Sequence, residues 1–151
     1  MRRNNWLGLL ILIGRLAVAG VFLTAALPKI QDPASFAESV QAYRLLGPIA
    51  GAWVALVLPW LELVIGLGLL TRPLRRSSGC VILLLLGLFI ALHLSAWTRG
   101  LDLECGCFGR ADGTQPTSYL ALILRNSALL VAIGCIVIHD FKQATRAKFS
   151  K

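Results

Sequence analysis

Residues 49–71 read IAGAWVALVLPWLELVIGLGLLT, twenty-three positions from Ile49 to Thr71 in which Glu62 is the one ionisable side chain. About 20 apolar residues in helical conformation cross the roughly 30 Å hydrocarbon core of a bilayer, so this run is long enough to span it. Three other stretches read the same way: Trp6 to Leu27, Ser78 to Trp97 and Tyr119 to Ile138. The whole chain of 151 residues is 57% hydrophobic and 15% charged, with mean hydropathy +0.75. Soluble domains carry about a quarter charged residues. The expected architecture is all-α, an integral membrane four-helix bundle occupying residues 1–151 as a single transmembrane domain.

A net charge of +8 in a soluble chain would point to an acidic partner such as nucleic acid. Here the charges sort by position instead. Arg2, Arg3, Arg72, Arg75, Arg76, Lys142, Arg146, Lys148 and Lys151 fall on one side of a four-span arrangement, with Asp140 the only acid there. Lys29, Arg44, Arg99 and Arg110 share the other side with Asp32, Glu38, Asp102, Glu104 and Asp112. The positive-inside rule then puts both termini and the Arg72–Arg76 turn in the cytoplasm. Nucleic-acid binding is not needed to explain the excess. The first run is read as a retained span, because it is longer than a signal h-region, holds Arg15 and lacks a clean A-x-A cleavage site.

After the first span, Asp32 and Pro33 stand where a helix cap and first helical residue belong, and Phe36, Val40 and Tyr43 follow at helical spacing. A short amphipathic surface helix is expected there, ending at Gly47-Pro48. The short link from Arg72 to Ser77 makes the second and third spans antiparallel neighbours. Small residues recur along one face of each later span: Ala55, Pro59, Glu62 and Gly66; Gly87, Ala91 and Ser95; Ala121, Arg125, Ala128, Ala132 and Cys135. Such faces are expected to pack helix on helix.

The polar loop from Thr98 to Ser118 contains Glu104-Cys105-Gly106-Cys107-Phe108-Gly109. On the outward side of the membrane a disulfide is permitted, and Cys105 and Cys107 have each other or another protein to pair with. Cys80 and Cys135 lie toward the opposite ends of their spans, most of the bilayer away. They read either as a second redox pair or simply as small apolar residues. A disulfide bridging one intervening residue closes a small ring, which makes it easier to reduce, and Gly106 best takes the backbone angles required. An exchangeable dithiol, a permanent link and a metal-ligand pair are all compatible with the motif. Zinc is the poorest fit, since a closed site wants four ligands and the loop has no histidine. No C-x-x-C-H haem motif is present.

Charges inside the spans are the other candidates. Arg15 and Glu62 lie about twelve and thirteen residues from the outer ends of their spans, so at about 1.5 Å per residue they are expected at one depth and as an ion pair. Such a pair holds a quinone-like headgroup, relays protons or fixes the packing. Pro59, one turn before Glu62, leaves the Ala55 carbonyl without its helical donor and adds either a polar pocket or a kink. Arg125 either stabilises a thiolate at Cys105 or Cys107 or snorkels toward headgroups. His93 reads as a proton-transfer group or as an interfacial histidine beside Trp97.

Arg15, the run Lys29-Ile30-Gln31-Asp32-Pro33 with Phe36 and Tyr43, Pro59-Trp60-Leu61-Glu62 with Gly66, Cys105-Gly106-Cys107-Phe108-Gly109 and Leu124-Arg125-Asn126 together resemble the MauE (methylamine utilisation) branch of the DoxX-like membrane protein family. The resemblance covers nearly the whole chain, and its specific part is the cysteine motif with Phe108. It implies a four-span protein of the bacterial inner membrane. It also implies thiol-disulfide exchange between Cys105, Cys107 and a separate thioredoxin-like partner, in maturation of a disulfide-containing protein of the methylamine dehydrogenase small-subunit type. DoxX relatives add a link to quinone oxidoreduction, for which Arg15, Pro59 and Glu62 are the candidate contacts, supported by His93 and Arg125. The alternative is a non-catalytic accessory or assembly subunit whose cysteine loop is structural.

Overall fold

The four apolar runs form four long helices, with a short one after the first. The computed structural model describes residues 3–101 and 119–149, comprising α1 (Arg3–Gln31), α2 (Pro33–Ala42), α3 (Pro48–Leu70), α4 (Arg75–Thr98) and α5 (Tyr119–Phe149). The stretches Trp6–Gln31, Pro48–Leu70, Arg75–Thr98 and Tyr119–Thr145 have the length and hydropathy to cross a bilayer. The chain is an all-α, multi-pass membrane protein. Its long helices form a ring in which α1 packs on α3, α3 on α4, α4 on α5 and α5 on α1. Val18, Phe22, Ile65, Leu69, Ile82, Leu86, Ile133 and Ile136 fill the interior, while Trp53, Trp60, Leu84 and Val131 face outward. An apolar exterior is what a lipid solvent calls for.

The start of α1, the end of α5 and the α3–α4 turn lie at one end of the ring, here the terminal end. The opposite, α2 end is shaped by local signals. Asp32 caps α2 by accepting the Ser35 amide at 3.0 Å, Pro33 opens the helix, and Phe36 turns inward. The cap stands where the sequence places it, while the helix ends at Ala42, short of Gly47-Pro48. Helix α4 closes with Gly100 at φ +60°: its amide donates to the Trp97 carbonyl and that of Leu101 to the Ala96 carbonyl. This is a Schellman termination, whose left-handed residue is usually glycine.

Two helices outrun their apolar stretches. Helix α1 continues through Pro28 to Gln31, because a proline this near the end removes one amide while its own carbonyl still accepts from Asp32 at 3.0 Å. Helix α5 continues past Ile138 to Phe149, so Asp140, expected in the cytoplasmic flank, is buried at 1% exposure.

The small-residue faces divide. Ala55, Pro59, Glu62 and Gly66 form the buried face of α3. On α4 the buried line is instead Ser78, Gly79, Ile82, Leu86, His93 and Ala96, and Ala91 is exposed. On α5 it is Asn126, Ile133, Ile136, Val137 and Asp140, leaving Ala121, Ala128 and Cys135 outside. Large aliphatic side chains, able to fill space between helix axes, win those interfaces. A Cβ at Gly79 would lie 2.6 Å from Val137 Cγ2, whereas one at Gly87 would meet nothing within 4 Å. Gly79→Ala is therefore expected to destabilise by about 1 kcal/mol net, overpacking outweighing the helix-propensity gain. Gly87→Ala should stabilise by about 0.5–1 kcal/mol. Unfolding midpoints in detergent, opposite in sign for the two variants, check both.

Candidate functional site

Helix register decides which charges meet. Gly66 of α3 packs against Phe22 and Leu23 of α1, and these helices are antiparallel. Glu62 thus stands about 6 Å from that level toward the α2 end, and Arg15 about 10 Å toward the terminal end. The expected Arg15–Glu62 ion pair does not form. Counting from Leu27 put Arg15 too near the α2 end, since α1 continues to Gln31, and the register between the helices makes up the rest of the offset.

Glu62 is paired with Lys29. The ammonium lies 2.8 Å from each carboxylate oxygen, and both residues are buried, at 2% and 4% exposure. Side chains on a helix lean toward its N-terminus. Lys29, one turn from the end of α1, therefore hangs back into the bundle to the level of Glu62. Its ammonium sits 5.0 Å from the Phe36 ring centroid and 5.8 Å from that of Phe89. The aromatic faces supply favourable electrostatics where water is excluded.

Arg15 pairs instead with Asp140 of α5. Arg75 Nε lies 3.7 Å from the other Asp140 oxygen, and His139 Nδ1 lies 3.8 Å from the oxygen that Arg15 holds. This second cluster closes the interior of the bundle at the terminal end.

Beside the Lys29–Glu62 pair is a cavity of about 40 Å³. Its polar lining comes from four helices: Lys29 of α1, Glu62 of α3, His93 of α4, and Arg125 and Asn126 of α5. His93 faces the bundle interior. It is 3% exposed, while Trp97 is 53% exposed, because the buried line of α4 passes through His93 and Ala96. Its Nδ1 bonds the Phe89 carbonyl, and its ring makes a T-shaped contact with that of Tyr43, the centroids 6.2 Å apart. A carbonyl only accepts, so Nδ1 carries the hydrogen and Nε2 is the basic nitrogen of the neutral ring. Arg125 is half-buried in this lining. Pro59 is buried on the same face of α3 as Glu62 but is not part of the lining. A cavity that takes benzene is about 150 Å³. The residues present fit water and not a quinone ring.

Cys105, Gly106, Cys107 and Phe108 lie outside the described residues. The segment that carries them is flanked at the α2 end, where the Tyr119 hydroxyl donates to the Leu101 carbonyl and Arg99 donates to the Tyr43 carbonyl at 2.9 Å. Cys80 and Cys135 are free and exposed on the outside of the bundle. Sequence reading passed over Lys29 and Asn126 as site residues. The signal for Lys29 was present in its place one residue after Pro28, at the end of a lipid-length run.

A model of the family described as methylamine utilisation protein MauE matches residues 7–139. The chain is 37% identical over 124 residues to the methylamine utilization protein MauE of Paracoccus denitrificans, covering 80% of this chain and 66% of the relative. It is 37% identical over 112 residues to the MauE of Methylorubrum extorquens, covering 72% and 58%, and 35% identical over 122 residues to that of Methylophilus methylotrophus, covering 78% and 64%. The chain thus spans between 58% and 66% of the length of these relatives. No solved structure matches it. The family match runs from the first span across the polar segment between α4 and α5 into the fourth span, and the chain belongs to the MauE family.

Proposed function

We propose that this chain is a membrane thiol-disulfide redox protein of methylamine utilisation, with Cys105 and Cys107 as its exchanging pair. The observation that carries the reading is membership of the MauE family by a chain with two thiols one residue apart between two spans. A thiolate of a thioredoxin-like partner attacks the Cys105–Cys107 disulfide and forms a mixed disulfide. The partner's second thiolate resolves it, leaving the partner oxidised and both cysteines reduced, with two electrons and two protons transferred to the pair. The oxidised partner then passes its disulfide to a client such as a methylamine dehydrogenase small subunit. Gly106 lets the small ring close.

The basic excess at the terminal end supports an orientation with both termini in the cytoplasm of a bacterial plasma membrane and the pair outside. A membrane-impermeant maleimide added to intact cells is expected to label the reduced pair, and labelling should disappear after treatment with an oxidant. Cys107→Ser is expected to accumulate a mixed disulfide with a periplasmic protein, seen as a reducible band on a gel. A pair held in one state throughout, with no such band, would leave a structural loop as the answer. Labelling only after permeabilisation would reverse the orientation.

A further inference from the structure

The cluster at the terminal end does not balance its own charge. Arg15, Arg75 and Asp140 all lie within apolar spans, yet two guanidinium groups share one carboxylate. His139, 3.8 Å from that carboxylate, adds no negative charge, and Asp140 is the only acid at this end among the described residues. Flanking positions are again basic: Arg72 and Lys142 are exposed and Arg76 is half-buried. Donors are left over as well. Arg15 Nε is buried without a hydrogen-bond partner, as are His139 Nδ1 and Asp140 Oδ2, and Arg75 Nε stands 3.7 Å from Asp140, beyond hydrogen-bond reach. Charged groups within a span are costly unless paired. An excess of one positive charge with unused donors calls for an anion.

Depth selects which anion. Arg75 is the first residue of α4, and Arg15, about 14 Å of helix beyond Trp6, leans back toward the N-terminus of α1. Both guanidinium groups therefore approach the membrane surface of the terminal end, where lipid phosphates lie. Gly14 packs on Ile136, and at that level Ile13, Ile138 and Phe141 are at least half exposed, an apolar surface for acyl chains. We propose that Arg15 and Arg75 bind the headgroup phosphate of one anionic phospholipid, such as phosphatidylglycerol, in the leaflet at the terminal end. Asp140 is the positioning residue. It holds guanidinium groups from α1 and α4 side by side, and the phosphodiester takes donors that it leaves free. Basic pockets between membrane helices bind anionic headgroups in this way, and guanidinium donors match phosphate oxygens in geometry. The lipid neutralises the cluster and ties α1 to α4, which do not otherwise pack on each other. The site is independent of the thiol-exchange reading.

Native mass spectrometry of the full chain in detergent, titrated at fixed ionic strength with dioleoyl phosphatidylglycerol or dioleoyl phosphatidylcholine, reads the site directly. The expected result is one retained phosphatidylglycerol per chain, bound about tenfold tighter than phosphatidylcholine and not displaced by inorganic phosphate. Equal retention of the two lipids overturns the site, a result that needs no variant to fold. Displacement by inorganic phosphate overturns the lipid assignment in favour of a soluble anion. Arg75→Gln should weaken phosphatidylglycerol binding about tenfold, whereas Lys142→Gln, which removes an exposed cation outside the cluster, should change it less than about twofold. Equal losses in the two variants would mean diffuse attraction to a basic end and would overturn the Arg15–Arg75 site.

Discussion

Lys29→Met is expected to lower the unfolding free energy by about 3–5 kcal/mol, the loss typical when one partner of a buried ion pair is removed. Methionine nearly matches the lysine stem, so little of the loss comes from packing. What remains is a Glu62 carboxylate at 2% exposure with its two 2.8 Å donations gone. The double variant Lys29→Met with Glu62→Leu should recover most of the stability, because apolar groups of similar volume often replace a buried pair at little cost. Titration with a denaturing detergent, followed by circular dichroism, supplies the four corners of the cycle. If Lys29→Met alone falls within about 1 kcal/mol of wild type, the pair does not hold the bundle as described. The companion cycle between Arg15 and Glu62 should give coupling below about 0.5 kcal/mol, as for distant sites with no shared partner.

Asp140→Asn should cost about 2–3 kcal/mol, less than the loss at Lys29. Asp140 is 1% exposed and answers two guanidinium groups, so its neutralisation leaves Arg15 and Arg75 facing each other. Both arginines retain some exposure, 14% and 22% for their side chains, and can turn toward water or headgroups. That freedom makes the expected loss smaller than the 3–5 kcal/mol of a fully buried pair. Coupling of Asp140 to Arg15 should exceed its coupling to Arg75, since Arg15 makes a direct hydrogen bond and Arg75 stays 3.7 Å away. Double-mutant cycles at this end that show equal couplings, or none, would contradict the arrangement.

The two clusters also separate what was readable in the linear chain from what was not. The spans, the Asp32 cap, Pro33 and the inward Phe36 were legible, because each depends on composition or on neighbours within a turn. The buried face of α3 was legible too, as a row of small residues around one carboxylate. The faces of α4 and α5 were not. There small residues point outward, and bulky Ile82, Leu86, Ile133 and Val137 fill the interior.

Composition and local order therefore determined that this chain is a four-span helical membrane protein with a short capped helix after the first span and a Cys105-Gly106-Cys107 segment between the last two. The partners of its buried charges came from the packed helices alone. A span's ends are blurred by a turn or more, and one turn moves a side chain about 5 Å along the axis. That error hides Asp140 within α5, while the pairing of Glu62 with Lys29, about 21 Å along α1 from Arg15, and the inward turn of His93 depend on helix register and rotation that packing alone sets.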